Sequence, residues 1–241
     1  MIYKTILDKL ELPEYEISKI YKKIPKNIQY GNPANFAKKL IYLKDPILNW
    51  KKFIKYVPKP QDYRSDAVRK EILFLKNLQN NLTKPEIRRV YKHDRSTRIN
   101  FYDFIKMHGY SPSYSLYYRM NKELGHIILK LKMYYQRPRA FQVSHYHNIE
   151  LMPLDSNSAW SPAYPSGHGF QAYFWYKFYS YKYPKLKYAL KKFGKEMADS
   201  RLYGGYHYPS DNIVSKNLVD IFFSKNLHIY LEKKVKSKYF L

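Results

Sequence analysis

The sequence contains no cysteine, only eight glycines, and few acidic residues for its length. Without cysteine it can form neither a disulfide framework nor a thiolate metal site. No apolar run approaches the roughly 20 residues that a membrane-spanning helix needs. The beginning of the chain mixes charged with apolar residues and lacks the apolar core of a secretory signal. We therefore expect a soluble protein, located in the cytoplasm or elsewhere inside the cell.

The shortage of acidic residues leaves a large positive charge. Lysine and arginine number 44 against 19 aspartates and glutamates, which gives a net charge of +25. Such a charge favours anionic partners, namely phosphorylated substrates and, weakly, anionic surfaces. Lysine and the 28 tyrosines are abundant along the whole chain, and no nucleic-acid-binding motif accompanies them. A general drift in composition is therefore the simpler origin of the charge.

Helical periodicity dominates the chain. Val68, Ile72 and Leu75 form one apolar stripe at helical spacing, whereas period-two alternation with hairpin turns is absent. With 241 residues the chain is long enough for one sizeable core. We expect an all-α fold, a single-domain helical bundle at residues 66–241. Because prolines interrupt residues 1–65, we expect there an irregular N-terminal arm of short helices and turns packed on the main body.

Two further segments are expected at the surface. His93 and Asp94 follow a predicted helix and indicate a solvated helix end. The basic C-terminal residues, 232–241, are expected to be frayed.

The most reactive groups lie in residues 200–211. His207 and Asp211 are four residues apart, so they share one face of a helical turn. A carboxylate in that place can hold one imidazole nitrogen and leave the other unprotonated for attack on an electrophile. A tight turn at the glycine pair 204–205 would bring Arg201 back toward His207.

Two earlier stretches supply groups that bind anions. Ser166 is a favoured N-cap ahead of a helical run, whose first N–H groups form an anion site. Gly167 permits close approach of a ligand, and His168 follows it. Lys130 and Arg137 are seven residues apart, which is two helical turns, so both cations project from one face.

In this order the three stretches resemble the phosphatidic acid phosphatase type 2 superfamily, which includes bacterial class A acid phosphatases and vanadium haloperoxidases. The family pattern reads KxxxxxxRP, then PSGH, then SRxxxxxHxxxD. Every fixed position is matched, by Lys130, Arg137, Pro138, Pro165, Ser166, Gly167, His168, Ser200, Arg201, His207 and Asp211. The resemblance covers residues 130–211 and implies that 66–241 is a helical catalytic domain with its site between the central helices.

The resemblance implies a metal-independent acid phosphatase that hydrolyses phosphate monoesters through a phosphohistidine intermediate. His207 would be the nucleophile, Asp211 its orienting carboxylate, and His168 the general acid and then the base. The implied phosphate-binding residues are Lys130, Arg137, Ser166, Gly167 and Arg201. No metal or other cofactor is expected, because the cations already neutralise the charge of the phosphoryl group.

Two alternatives remain open. A vanadium-dependent haloperoxidase would use the same pocket with vanadate as its cofactor. A polyanion-binding protein with a vestigial site would use only the positive charge. His145 and His147 are spaced as a metal pair, but no third ligand is evident, so they are interpreted as surface histidines. The expected substrate is a phosphorylated small molecule or lipid head group.

Overall fold

The computed structural model describes residues 35–95, 100–156, 158–159 and 161–240. Within these residues the protein is all-α, as predicted, with ten α-helices and no β-strand. The helices are α1 (Asn35–Ile41), α2 (Asp66–Asn80), α3 (Lys84–Arg95), α4 (Phe101–Met107), α5 (Tyr114–Tyr135), α6 (Ala140–Val143), α7 (Gly167–Lys182), α8 (Lys187–Tyr203), α9 (Pro209–Ser224) and α10 (Leu227–Tyr239). Short 3₁₀ helices cover Trp50–Tyr56, Ser144–His147 and Pro184–Leu186.

Serine side chains begin three of the long helices. Ser65 caps α2, Ser113 caps α5 and Ser166 caps α7, each through a hydroxyl that accepts a backbone N–H of the first turn. At its other end, α5 stops because Gln136 adopts a left-handed conformation with φ 54°. The chain therefore leaves the helix just before Arg137.

Helix α7 lies at the centre and packs against α5, α8 and α9. Its aromatic side chains face neighbours on several sides, and Phe170, Phe174 and Trp175 are buried. Full burial of each such side chain contributes about 2–3 kcal/mol before the entropy cost of ordering. The helices around α7 are thus held together by an aromatic core.

Part of the predicted N-terminal arm lies against this core. Trp50 is buried in the same cluster as the central helices, and Phe53 stacks on Phe222 of α9 with ring centroids 4.8 Å apart. The hydroxyl of Tyr135 at the end of α5 donates to the carbonyl of Val57 at 2.7 Å. The first 34 residues of the predicted arm are outside the described part of the chain.

Two surface predictions are wrong. The C-terminal segment forms α10, because Leu231 and Val235 lie four residues apart and bury themselves against the core. Helix α3 continues to Arg95, and Asp94 is buried rather than solvated because it pairs with an internal arginine. None of the helices in the described part of the chain combines the length and apolar character needed to cross a membrane.

Candidate active site

The ends of four helices meet at one place, namely the C-termini of α5 and α8 and the N-termini of α7 and α9. The turn between α8 and α9 is closed by Gly205 in the left-handed region, at φ 71°. The backbone N–H groups of Tyr206 and His207 both donate to the carbonyl of Arg201, at 3.1 and 3.3 Å. This turn places Arg201 and His207 next to each other.

His207 is held between a carboxylate and a guanidinium. Its Nδ1 lies 3.0 Å from Oδ2 of Asp211, and its Nε2 lies 3.1 Å from Nη1 of Arg139. A carboxylate only accepts and a guanidinium only donates, so the proton of the neutral ring belongs on Nδ1. Burial and the charges of Arg139 and Lys132 lower the pKa of His207 well below its usual range. Its Nε2 lone pair is therefore present at neutral pH.

Asp211 is fully buried behind this imidazole. Its Oδ1 accepts from Nη1 of Arg137 at 2.6 Å, while its Oδ2 also accepts the N–H of Tyr208 at 3.1 Å. Burial raises the pKa of Asp211, and the charges of Arg137 and Lys132 oppose that rise. The carboxylate therefore depends on its cationic neighbours to remain ionised.

Arg201 is buried and anchored by Asp94, for which the sequence predicts a solvated helix end. Its Nη1 donates to Oδ1 of Asp94 at 2.8 Å, and its Nη2 donates to Oγ of Ser158 at 3.0 Å. Its Nε is buried and has no hydrogen-bond partner among the described residues. An unsatisfied buried donor of this kind is typical of a site that receives an anion.

Lys132 reaches the site, on the side of α5 opposite to Lys130. Its Nζ donates to the carbonyls of Pro162 and Ala163, at 2.6 and 2.8 Å. Its Cε lies 3.6 Å from the position that a Cβ on Gly167 would take. Burial and the Arg139 charge lower the pKa of Lys132 well below its ordinary value, while the Asp211 charge raises it.

Lys130, the predicted phosphate-binding residue, lies on a different face of α5 from Lys132. Residues two apart on a helix differ by about 200° in direction, so Lys130 and Lys132 cannot face the same pocket. The charge of Lys130 acts on His126, whose Nδ1 bonds to the carbonyl of Leu40. The charge of Lys132, in contrast, acts on His207 and the other site residues.

The two arginines after α5, the predicted phosphate-binding Arg137 and its neighbour Arg139, have different positions. Arg137 is tied to Asp211 and, at 2.9 Å, to Glu71, so it lies behind the orienting carboxylate. Arg139 lies in front, where its Nη1 faces His207 and also donates to the carbonyl of Tyr206 at 2.6 Å. The paired carboxylates hold Arg137 away from Nε2 of His207.

The start of α7 forms another wall of the site. Ser166 is buried, and its Oγ accepts the N–H of Gly169 at 3.1 Å. The first N–H groups of α7, from Gly167 onward, have no partner within the helix. Burial and the Arg201 charge lower the pKa of His168 well below its usual range, whereas the Asp94 charge raises it.

Residues 116–218 match the family model of the PAP2 superfamily. This segment of the chain belongs to that superfamily. No curated protein matches the chain in sequence. PAP2 proteins act on phosphorylated substrates, so the general activity is that of a phosphatase-type hydrolase. The match to the PAP2 superfamily starts inside α5 and ends inside α9, and thus excludes Glu71 and Asp94.

The sequence contained signals for the residues that were missed in this PAP2 domain. Lys132 and Arg139 are also seven residues apart, although Ala140 follows instead of proline, and Lys132 lies four residues after Ile128 on the apolar stripe of α5. Glu71 lies on the apolar stripe of α2, where a carboxylate needs a buried partner. Asp94 lies four residues after the buried Val90 on α3, so its carboxylate also needs a buried partner.

Proposed function

We propose that this PAP2 protein is a phosphatase that hydrolyses phosphate monoesters through a phosphohistidine on His207. The observation that carries the proposal is that His207 and the basic groups of Lys132, Arg139 and Arg201 are all buried at one point. Phosphoryl transfer depends mainly on positioning and on neutralising the charge of the equatorial oxygens. Three basic side chains around one imidazole suit that requirement.

The phosphate would be bound by side chains and by the start of α7. Arg139 would exchange its contact with His207 for a phosphate oxygen, and Arg201 would use its Nε donor. Ser166 accepts a helix N–H through its oxygen, so its hydroxyl proton is available to donate to the phosphate. The N–H of Gly167 adds a donor aimed along the helix axis. A bound dianion would raise the pKa of Lys132 and keep its amino group charged.

The chemistry would proceed in two displacements. In the first, the Nε2 lone pair of His207 forms a bond to phosphorus while the ester P–O bond breaks, and His168 gives its proton to the leaving oxygen. Asp211 stabilises the positive charge that develops on the ring of His207. In the second, His168 takes a proton from water, the hydroxide oxygen bonds to phosphorus, and the P–N bond breaks to release inorganic phosphate.

A hydrolysis assay with p-nitrophenyl phosphate in the presence of EDTA tests the proposal. We expect turnover in the wild type, an acid-labile phosphoprotein in rapidly quenched reactions, and inhibition by vanadate. His207→Ala should remove both turnover and the phosphoprotein, while His145→Ala, a change at an exposed histidine of the short 3₁₀ helix, should retain them.

Other outcomes would overturn the proposal. Halide oxidation by peroxide that requires added vanadate would instead indicate a haloperoxidase. Absence of turnover at every pH, together with salt-sensitive binding of polyanions, would indicate a vestigial site.

A further inference from the structure

We propose that Arg137 and Glu71 are positioning residues that act on the nucleophile His207 through Asp211 without touching the phosphate. The inference rests on the proposed phosphatase function. It gives the two arginines of the sequence Arg137-Pro138-Arg139 separate tasks, with the first behind the nucleophile and the second in front of it.

Both terminal nitrogens of Arg137 are already engaged. Nη1 donates to Asp211 at 2.6 Å and to Oγ of Ser210 at 2.7 Å, and Nη2 donates to Glu71 at 2.9 Å. The guanidinium also covers the ring of Tyr208, with its Cζ 3.7 Å from the ring centroid. Only 3% of the side chain is exposed. A group held on all these sides is not available to a substrate.

The contacts of Asp211 show how Arg137 could control His207. The carboxylate divides its oxygens, with Oδ1 bound to Arg137 and Oδ2 bound to the ring of His207. Fixing Oδ1 sets the rotation of the carboxylate, and therefore the direction in which Oδ2 holds the imidazole. Arg137 thus orients the attacking nitrogen from a distance.

Glu71 anchors this arrangement to the rest of the fold. Its Oε1 accepts the backbone N–H of Ser210 at 2.7 Å, and its Oε2 accepts the hydroxyl of Ser210 at 3.0 Å. Glu71 belongs to α2, whereas Ser210 lies in the first turn of α9 and precedes Asp211 directly. A helix outside the segment that matches the superfamily therefore completes the support of the nucleophile.

Charge gives Arg137 a second effect on the same carboxylate. The groups that face Asp211 are Arg137, Lys132, Glu71, His207 and Tyr164. Burial raises the pKa of Asp211, Arg137 and Lys132 lower it, and Glu71 raises it. Loss of the Arg137 charge would raise that pKa further, so the carboxylate would be neutralised at a higher pH.

The test compares Arg137→Gln with Arg139→Gln. For Arg137→Gln we expect kcat to fall by about 10- to 100-fold, as is typical when a group that orients a catalytic residue is removed. KM and inhibition by inorganic phosphate should stay within about threefold of the wild type. The acidic limb of the kcat profile should move to higher pH. Arg139→Gln should instead weaken inhibition by phosphate, and Arg89→Gln, at an exposed arginine, is the matched control.

A second pair of variants keeps the test decisive if Arg137→Gln does not fold. Glu71 is partly exposed, so Glu71→Gln and Glu71→Ala should fold, and both should lower kcat several-fold with unchanged inhibition by phosphate. Compared with Arg137→Gln, Arg137→Lys should return the acidic limb of the kcat profile to its wild-type position, because the positive charge is kept. It should recover only part of kcat, because lysine lacks the two terminal nitrogens of the guanidinium. The inference would be overturned if the Glu71 variants kept the kcat of the wild type. It would also be overturned if Arg137→Gln weakened inhibition by phosphate as much as Arg139→Gln does.

Nitrogen NMR of the His207 ring separates this inference from the proposed function, because it needs no turnover. The wild-type ring should carry its proton on Nδ1, and Arg137→Gln should produce a mixture of tautomers. If the wild type is inactive but the tautomers change, the positioning role stands and the phosphatase proposal fails. If the ring signals do not change, the positioning role is wrong.

Discussion

Lys130 and Lys132 carry the same charge and lie on the same helix, but they face different surroundings. We expect Lys132→Gln to lower kcat/KM by about 100-fold, the magnitude found when one charge-stabilising donor is removed from an active site. Lys130→Gln should stay within about threefold of the wild type, because its charge acts near His126. Steady-state hydrolysis of an aryl phosphate measures both variants. Equal losses in the two variants would contradict the assignment of Lys132 to the site.

His168 provides a prediction about pH. In the free protein its pKa is lowered by burial and by Arg201, while Asp94 raises it. A bound phosphate dianion offsets the repulsion from the cations, so the pKa of His168 should be higher in the substrate complex. Since activity needs the protonated acid, the alkaline limb of kcat should lie at higher pH than that of kcat/KM.

An alkyl phosphate is the appropriate substrate for this measurement, because its poor leaving group needs the proton of the general acid. His168→Ala should accordingly slow an alkyl ester more than p-nitrophenyl phosphate. His168 does not protonate the leaving group if the alkaline limbs of the kcat and kcat/KM profiles coincide. The same conclusion follows if His168→Ala slows the alkyl ester and p-nitrophenyl phosphate equally.

Among the elements, the turn between α8 and α9 connects backbone conformation to the site. Gly205→Ala places a side chain at φ 71°, which should cost about 1 kcal/mol of unfolding free energy and disturb the neighbouring His207. Gly109→Ala is a matched control, because Gly109 has φ 83° and a Cβ there would meet no atom within 4 Å. Both variants should lower Tm, and Gly205→Ala should lower it more, because a Cβ there would also lie 2.6 Å from Nε2 of Gln79.

Only Gly205→Ala should also lower kcat/KM, by about 10-fold, since small misplacements of a catalytic group have large kinetic effects. Thermal unfolding and steady-state kinetics on the same preparations make the comparison. A loss of activity in Gly109→Ala as large as in Gly205→Ala would mean that activity follows overall stability rather than the geometry of this turn.

Local sequence rules predicted the elements that depend on local chemistry. Ser166 caps a helix as predicted, because a serine hydroxyl satisfies a first-turn N–H wherever the helix later packs. The rules failed for α10 and for Asp94. Leu231 becomes buried only when α10 docks on the core, and Asp94 only when Arg201 of a distant helix reaches it. Neither partner is close in sequence.

For the whole molecule, the buried pair of Asp94 and Arg201 should affect stability in acid. Burial would raise the pKa of Asp94, but Arg201 and the hydroxyls of Ser158 and Ser156 lower it from 3.8 to about 2. A carboxyl group whose pKa is lower in the folded state than in the unfolded state stabilises the fold at any pH above its unfolded-state pKa. This stabilisation is lost as the pH falls toward about 2. The lowered pKa of Asp94, taken by itself, corresponds to about 2 kcal/mol of stability near pH 6, and burial of Arg201, which lowers the pKa of that guanidinium, works against it.

Denaturant unfolding of Asp94→Asn across a pH series tests this contribution. The variant should be less stable than the wild type near neutral pH, and the difference should shrink toward pH 2, where protonated aspartate resembles asparagine. Asp220→Asn, which removes an exposed carboxylate, should change stability by less than about 1 kcal/mol. A difference between the wild type and Asp94→Asn that does not depend on pH would contradict the prediction.

The amino-acid sequence by itself determined the helical class, the start of α7 at Ser166 and the pairing of His207 with Asp211. It did so because caps, apolar stripes and a pair of residues four apart act within one or two helical turns. Only the tertiary structure decided which of two equally spaced Lys–Arg pairs, 130 and 137 or 132 and 139, surrounds His207. Spacing places two residues on one face of a helix, but long-range packing of α5 against α1, α7 and α10 selects the face that becomes buried.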